Sequence, residues 1–577
     1  MTDKKKKLIA DATFLLLWLG ATAFLIWKAH YGFADRDESF YLTIPKRILQ
    51  GDAILVEEWH VSQLSGILLV PIMAIYLLIN PTAVGMMLHF RLIYVAFQAI
   101  VSLILYSRLK RYSTVGALIG ALIFMIYAPF GISALSYNSM GVALFALSTV
   151  LFATREARCG KYRGLLYDAI VGVLFSAAVL CQPYLAALYF VYAICALVWT
   201  VVLKGSKISA LSLSRLLGIT IGVALSVLAF AWLLFSRTDL HTLMKAIPLI
   251  LSDPEHPART LWSTVESFVW CIKTSSPIAP LCYLSIGILM LAAALDRRSK
   301  IRKTLYFTLA AAISVVYAVK LREWSFINCI MMPLNLVGAV SFFLLKKRPY
   351  PLFFGVWIPT VFFAWAISAT SNQGFLVISS AFSVGTLMSA LFVFMFVGEY
   401  EIPEPHSILS TVAATMSCLV VFAFGLELRA TQNFWDGRTG ELDHVIEEGV
   451  NRGVITSEYN KIRWERLLED TAPLRSIEDG NVLYFSTETA MYLSDDKRSS
   501  AFSSWISIGD KEEHQIKAAL ERLRDYYELC PDKFPDYIYV DIKTNGTLDA
   551  IVSTFGLSDY NIETTKYGNT VIKTNKR

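Results

Sequence analysis

Charge is scarce in this chain. Lys, Arg, Asp and Glu make up 17% of its 577 residues, against about 25% in an average soluble globular protein. With 55% hydrophobic residues and a mean hydropathy of +0.52, that shortage excludes a soluble protein of this length. Disulfides have no support either. The eight cysteines stand singly, and Cys181, Cys195, Cys282, Cys329 and Cys418 fall inside apolar runs, where a thiol is a small core residue. Cys530 alone lies in the polar C-terminal stretch, which therefore has no internal disulfide framework. There is no repeat of fixed period, no low-complexity segment, and no pair of interrupted helices of the inverted-repeat transporter kind.

Apolar length is what the chain has in quantity. Leu8–Trp27, Val171–Val202 and Leu376–Val397 reach the roughly 20 residues that cross a hydrocarbon core. Lys4–Lys7 precede the first of these, which is longer than a signal-peptide core and is followed by further spans. It reads as an uncleaved first helix with its N-terminus in the cytoplasm. Positive charge gathers in Lys4–Lys7, Arg108–Arg111, Arg155–Arg163, Lys204–Arg215, Arg297–Lys303 and Lys346–Arg348. Placing all of these in the cytoplasm puts Ala29–Ser65, Ala128–Asn138, Gln182–Tyr184, Ser236–Ser276, Lys320–Ser325 and Ala369–Gly374 outside. Leu64–Ile79 and Val84–Tyr106 look like two spans, which would carry Arg108–Arg111 to the outer face. The charge rule keeps every later loop consistent, so Leu64–Ile79 is expected to be embedded without crossing, giving about 13 spans. Residues 1–426 then form a polytopic α-helical module of the plasma membrane, with a first outer loop at 29–65 and another at 236–276.

Residues 427–577 change character, with more charge and no continuous apolar run. Gly480–Ser486 and Asp536–Asp541 read as strands. Lys511–Leu529 carries Ile516, Leu520, Leu523 and Tyr527 at helical spacing. Leu548–Phe555 is a short helix, and Ile562–Thr565 with Thr570–Thr574 a closing hairpin. Such alternation predicts a small, soluble, extracytoplasmic α/β domain. It contains no Gly-rich phosphate loop and no metal-ligand cluster, and no nucleic-acid partner is expected.

Ionisable groups are costly near a bilayer, so acidic residues set against its surface are functional candidates. The first outer loop has the densest set: Asp35, Asp37 and Glu38, then Asp52, Glu57 and Glu58. Phe40, Ile44 and Ile48 share a helical face, which predicts a helix lying along the membrane interface, with Pro45 as a break or kink and Gly51 as its end. Asp37 and Glu38 then face an outer aqueous cavity at its start.

The string DESFYLTIPKRILQGD, the Pro-containing segment Leu64–Ile79 and Arg91 in the next helix resemble the opening of the GT-C glycosyltransferases. The protein O-mannosyltransferases and the lipid A aminoarabinose transferases are nearest in style. The resemblance covers residues 8–110 and reaches the rest only as general architecture. It implies a GT-C-like fold and an inverting hexosyl- or pentosyltransferase. Such an enzyme moves a sugar from a polyprenyl-phosphate donor, a membrane lipid, to a glycan, lipid or protein acceptor of the envelope on the outer membrane face.

Asp37 is then the general base and Glu38 its orienting partner. The departing phosphate needs cations, for which Arg322, Lys320, Arg91, Lys273 and Arg259 are the candidates, with Lys245 beside them. Arg322 lies in a very short loop beside Trp324, where it either grips a lipid phosphate bidentately or anchors at the interface. His60, Tyr137, Asn138, Asn372 and Gln373 are candidate sugar or acceptor contacts, although Asn138 also suits a helix cap. Many GT-C enzymes carry a second carboxylate in a later outer loop. Ala128–Ser139 has none, so neither a metal held between separated aspartates nor any other cofactor is expected. Within 236–276, Leu240–Leu251 and Leu261–Ile272 form two short amphipathic pieces, readable as a lid or as plain interfacial helices. Two other functions compete: a flippase or transporter of a lipid-linked saccharide, and a non-catalytic envelope-assembly subunit. Few ionisable groups lie deep in the spans, which weighs against the first; the acidic loop weighs against the second.

Overall fold

Backbone inside hydrocarbon must satisfy its own hydrogen bonds, so long apolar runs fold as helices. The computed structural model describes residues 3–156, 160–252, 278–295, 300–322, 331–371, 378–399, 405–477, 479–506, 513–541 and 546–574, with isolated residues between 260 and 269. Among these, nine helices are long and apolar enough to cross a membrane: Leu8–Lys28, Met86–Leu109, Lys161–Cys181, Pro183–Val202, Ser212–Phe235, Ile301–Lys320, Tyr350–Thr370, Ser380–Gly398 and Ile408–Thr431. Six shorter apolar helices accompany them, Gln63–Ile79 and Leu240–Leu251 included. The chain is a polytopic helical membrane protein with a small sheet-containing region at its C-terminus.

The early helices are α1 (Asp3–Lys28), α2 (Asp35–Leu49), α3 (Val70–Ile79), α4 (Met86–Leu109), α5 (Thr114–Ile126), α6 (Tyr137–Ala153), α7 (Lys161–Cys181), α8 (Ala186–Val202), α9 (Lys207–Phe235) and α10 (Leu240–Leu251). Ion pairs fix which of their ends meet. Lys110, just beyond α4, contacts Asp11 near the start of α1 at 2.9 Å, and the Tyr106 hydroxyl donates to Asp11 at 2.6 Å. At the other end, Arg91 of α4 donates to the carbonyl of Ala29, just past α1. Thus α1 and α4 run antiparallel, and the chain leaves α1 and enters α4 at the same end. Gln63–Ile79, a 3₁₀ turn running into α3, does not change ends. Its return is closed by the Tyr76 hydroxyl, which donates to the Val84 carbonyl.

Three of the positive clusters share the end of the molecule that holds Asp11. Arg111 donates to the Thr154 carbonyl, Arg215 donates to that of Phe152 at 2.6 Å, and Asp168 meets Arg155 at 2.6 Å and Arg215 at 3.7 Å. Elsewhere the helices approach through small residues, as helices in lipid do. Gly338 lies against Ser389, where an added Cβ would overlap the serine. Beside it the buried Asn335 amide donates to the Met331 and Phe382 carbonyls and to the Thr386 hydroxyl.

The last membrane helix runs Pro405–Thr431, so the change of composition at 427 falls in its final turn. Beyond it, β1 (His444–Val445) pairs with β2 (Ile455–Thr456). A mixed five-stranded sheet follows, in the order β4 (Arg498–Ser499), β3 (Asn481–Phe485), β5 (Tyr537–Val540), β7 (Thr570–Thr574), β6 (Tyr560–Thr564). Strand β3 is parallel to β4 and β5, and β7 is antiparallel to β5 and β6. Every residue of β3 is buried. Helix Glu513–Leu529 turns Ile516, Leu520, Leu523 and Tyr527 inward. These elements match the sequence expectation closely. Helix Glu458–Arg475 was not anticipated, because it is charged along its length and contains Pro473.

Candidate functional site

The acidic pair opens α2, and α2 is where the chain's two parts meet. The helix continues through Pro45 without a break. It does not lie open on an interface as expected: Phe40, Ile44 and Ile48 are buried, and so are Ser39, Thr43, Lys46 and Arg47 on its other faces. The C-terminal domain covers the side that amphipathicity assigned to water. Lys46 donates to the Leu493 and Asp495 carbonyls at 3.0 and 2.6 Å, and burial lowers its ammonium pKa, with Asp496 and Asp495 opposing. Ser39 bonds Thr489, Thr43 bonds Ser504, Trp505 meets the Phe40 ring edge-on, and Arg36 stacks over Trp505 at 4.9 Å.

The end of α2 is held by a buried network of five charges. Arg47 pairs with Asp52 and Glu58, each at 2.7 Å. Lys533 of the C-terminal domain reaches Asp52 at 2.5 Å and Glu57 at 3.3 Å. Burial raises the pKa of both Glu57 and Glu58, against the pull of Lys533 and Arg47 respectively. Arg237, just before α10, donates to the Ile48 and Asp52 carbonyls. The acidic residues after Gly51 are therefore structural: they join the segment that follows α2 to the C-terminal domain.

At the start of α2 the two acids part company. Glu38 is buried and takes Arg91 in a two-pronged pair, with Oε1–Nε at 2.6 Å and Oε2–Nη2 at 2.5 Å. Arg91 also donates to the Ala29 and Gly32 carbonyls. Arg91, expected to grip a donor phosphate, is instead committed to Glu38. The fork of a guanidinium suits this carboxylate better than a lysine would. Glu38, expected to orient Asp37, anchors α2 to α4. Gly32 makes the clamp possible: its φ of +92° is a left-handed conformation, its N–H donates to the Ile455 carbonyl, and Asn433 packs where a Cβ would stand. Asp37 is half-buried, next to Tyr41. The Tyr41 hydroxyl is raised well above its usual pKa by burial first, and then by Tyr137, Asp37 and Glu38. The Tyr41 and Tyr137 rings meet edge-on at 5.9 Å. Asp37, Tyr41 and Tyr137 thus come together.

The other candidates are dispersed. His60 packs its ring at a tilt against Phe40, and its Nδ1 accepts from the Ser62 N–H. Asn138 does not cap α6. That role belongs to Ser136 with Ser139, while the Asn138 oxygen accepts from Gln182, which in turn accepts from the Tyr184 hydroxyl. Lys320 is exposed near the end of helix Lys300–Arg322, and Lys245 is exposed on α10. The Arg322 side chain, Arg259, Lys273, Asn372, Gln373 and most of Leu261–Ile272 lie outside the described residues. Among the described residues, no group of three His, Cys, Asp or Glu side chains could hold a metal ion.

Two buried cations escaped the sequence reading. Lys28 ends α1 and donates at 2.6 Å to both Asn433 and Thr439. Arg429 ends the last membrane helix and donates to the Gly131 carbonyl and the Ser133 hydroxyl. A signal for both was present, since each is a cation at the end of a span where the positive-inside rule expects none. No protein-family model matches the chain, and no curated protein matches it.

Proposed function

We propose that this chain is a membrane glycosyltransferase of GT-C-like architecture. In this reading it moves a sugar from a polyprenyl-phosphate donor to an envelope acceptor on the outer membrane face, with Asp37 as general base. The carrying observation is the division of labour within the acidic pair. Glu38 is locked in a buried ion pair with Arg91, which fixes the start of α2, while its neighbour Asp37 stays half-buried beside Tyr41 and Tyr137. A base must be held in place yet reach a substrate hydroxyl, and this arrangement suits that task. In this reading the nine long helices and four of the six shorter ones are taken as the 13 spans, with Gln63–Ile79 and α10 at the outer surface. The end carrying Asp11 and the positive clusters is then cytoplasmic, and the C-terminal domain lies outside.

The flippase reading has less support. The described buried charges of the membrane-length helices, Lys28, Arg91, Asp168 and Arg429, lie in the outer thirds or nearly so of their helices rather than along a transmembrane path.

Purified protein with a labelled polyprenyl-phosphate sugar tests the reading. Wild type transfers the sugar, and Asp37→Asn, still folded, loses about 10²–10⁴-fold in rate, the usual share of a general base. Undiminished transfer in Asp37→Asn removes Asp37 from that role. Lipid scrambling without transfer points to the flippase instead.

A further inference from the structure

Buried charge at the end of α1 is not balanced by carboxylates. Lys28, Arg91 and Arg429 converge there, each at most 4% exposed. Arg91 has Glu38. Asp436 is near, but its oxygens accept from the Phe33 N–H, the Gly437 N–H and the Thr456 hydroxyl. Among the described residues, Lys28 and Arg429 donate to neutral oxygens of Asn433, Thr439, Gly131 and Ser133. The Arg429 Nε is buried with no hydrogen-bond partner among the described residues.

Burying a cation against neutral acceptors alone is costly. Two buried cations set against neutral acceptors mark a place where an anion would repay the burial. A pocket opens beside Lys28, lined by Lys28, Glu38, Arg91, Gly131, Ser133 and Asn433, with Arg429 outside its lining and held to it through Gly131 and Ser133. Phe130 and Gly131, both at positive φ, form the tight turn that aims the Gly131 carbonyl at Arg429. Pocket and acidic pair share Glu38 as a wall, so a group bound here lies within a residue of Asp37 along α2.

We infer that this pocket binds a phosphate group carried on a membrane lipid, with Lys28 as the direct contact and Arg429 behind it supplying positive potential. The site lies at the membrane-surface end of α1, where a lipid phosphate arrives with its chain still in the bilayer. The inference rests on the transferase reading for its choice of lipid, a polyprenyl phosphate. In that case the donor is held at the ends of the first and last membrane helices, rather than by the late outer loops.

The test is binding of a polyprenyl monophosphate to the full-length protein in detergent, followed by native mass spectrometry, with the free polyprenol and inorganic phosphate as the other two probes. Wild type should hold the lipid phosphate at least tenfold more tightly than the polyprenol. Lys28→Gln, which keeps a hydrogen-bonding head for Asn433 and Thr439, should lose at least tenfold for the phosphate and little for the polyprenol. Should Lys28→Gln fail to fold, wild type still decides through its thermal midpoint, which should rise with the lipid phosphate and not with the polyprenol. Equal binding of the two lipids, or unchanged phosphate binding in a folded Lys28→Gln, overturns the pocket. Inorganic phosphate that binds as tightly as the lipid overturns the lipid source. Phosphate binding that survives while no sugar is ever transferred sinks the transferase reading and leaves the pocket standing.

Discussion

Lys533→Met is the sharpest probe of how α2 is held. Wild type places two cations, Arg47 and Lys533, among three carboxylates, all of them largely buried. Removing the ammonium strips Asp52 of a partner at 2.5 Å and Glu57 of one at 3.3 Å, and takes the formal charge of the cluster from −1 to −2. Breaking a buried pair by deleting one partner costs about 3–5 kcal/mol. Glu57 can escape part of that by taking up a proton, which at pH 7 costs at most about 3.7 kcal/mol from an ordinary glutamate pKa. Its pKa is already raised, so the lower end, about 3 kcal/mol, is expected. That amounts to a shift on the order of 100-fold in the equilibrium holding the C-terminal domain on the first outer loop. Hydrogen exchange of the full-length protein reads it directly: amides in 52–59 and 499–506 should lose protection in Lys533→Met, while those in α5 and α6 should not. Adding Asp52→Asn should restore much of the protection, since it removes the charge left stranded. A folded Lys533→Met with wild-type protection at 52–59, or a double variant whose losses simply add, would refute the reasoning.

Other consequences follow from the same geometry. Gly32→Ala should destabilise by about 1–2 kcal/mol from its left-handed backbone alone, and by more through overlap with Asn433, visible as a lower thermal midpoint; an unchanged midpoint would mean that the clamp around Arg91 tolerates a Cβ. Glu57 and Glu58 have raised folded-state pKa values, so their contribution is full below about pH 4.3, the unfolded value, and is lost as pH rises through the folded ones. Denaturation midpoints should therefore fall from pH 5 to pH 8 more steeply in wild type than in Glu57→Gln, and equal slopes would remove Glu57 from the account. A topology reporter fused after Arg111 should read cytoplasmic, because α1 and α4 share both ends; an outer reading would invert the orientation.

Much of the architecture was legible because it rests on local pattern. Apolar length exposes the long helices, and charge placement kept Leu64–Ile79 from being read as a crossing, in keeping with the antiparallel run of α1 and α4. In the C-terminal domain, β3, β5, the final hairpin and helix Glu513–Leu529 follow their periodicities almost residue for residue. What sequence could not supply was the partner of α2. Its polar face reads as solvent-exposed, and nothing local says that Leu493, Asp495, Ser504 and Lys533 will cover it. For the same reason Asp52, Glu57 and Glu58 looked like an extension of the acidic pair, when Arg47 close by takes Asp52 and Glu58 and Lys533 at the far end of the chain takes Asp52 and Glu57. Arg91 looked like a free cation because its carboxylate is 53 residues earlier. The two-residue strands β1, β2 and β4 are too short to show a period at all.

The bond between Asp52 and Lys533 joins residues 481 positions apart, and that distance sets an order of assembly. Chains are made at about 5–20 residues per second, so the first outer loop emerges on the order of a minute before its counter-charge exists. Throughout that interval α2 has only its membrane-side neighbours, and Arg47 faces three carboxylates alone. The helix that carries Asp37 reaches its final setting only when the last tenth of the polypeptide arrives. A chain terminated before Lys533 therefore keeps the Glu38–Arg91 anchor yet leaves the far end of α2 without its cover.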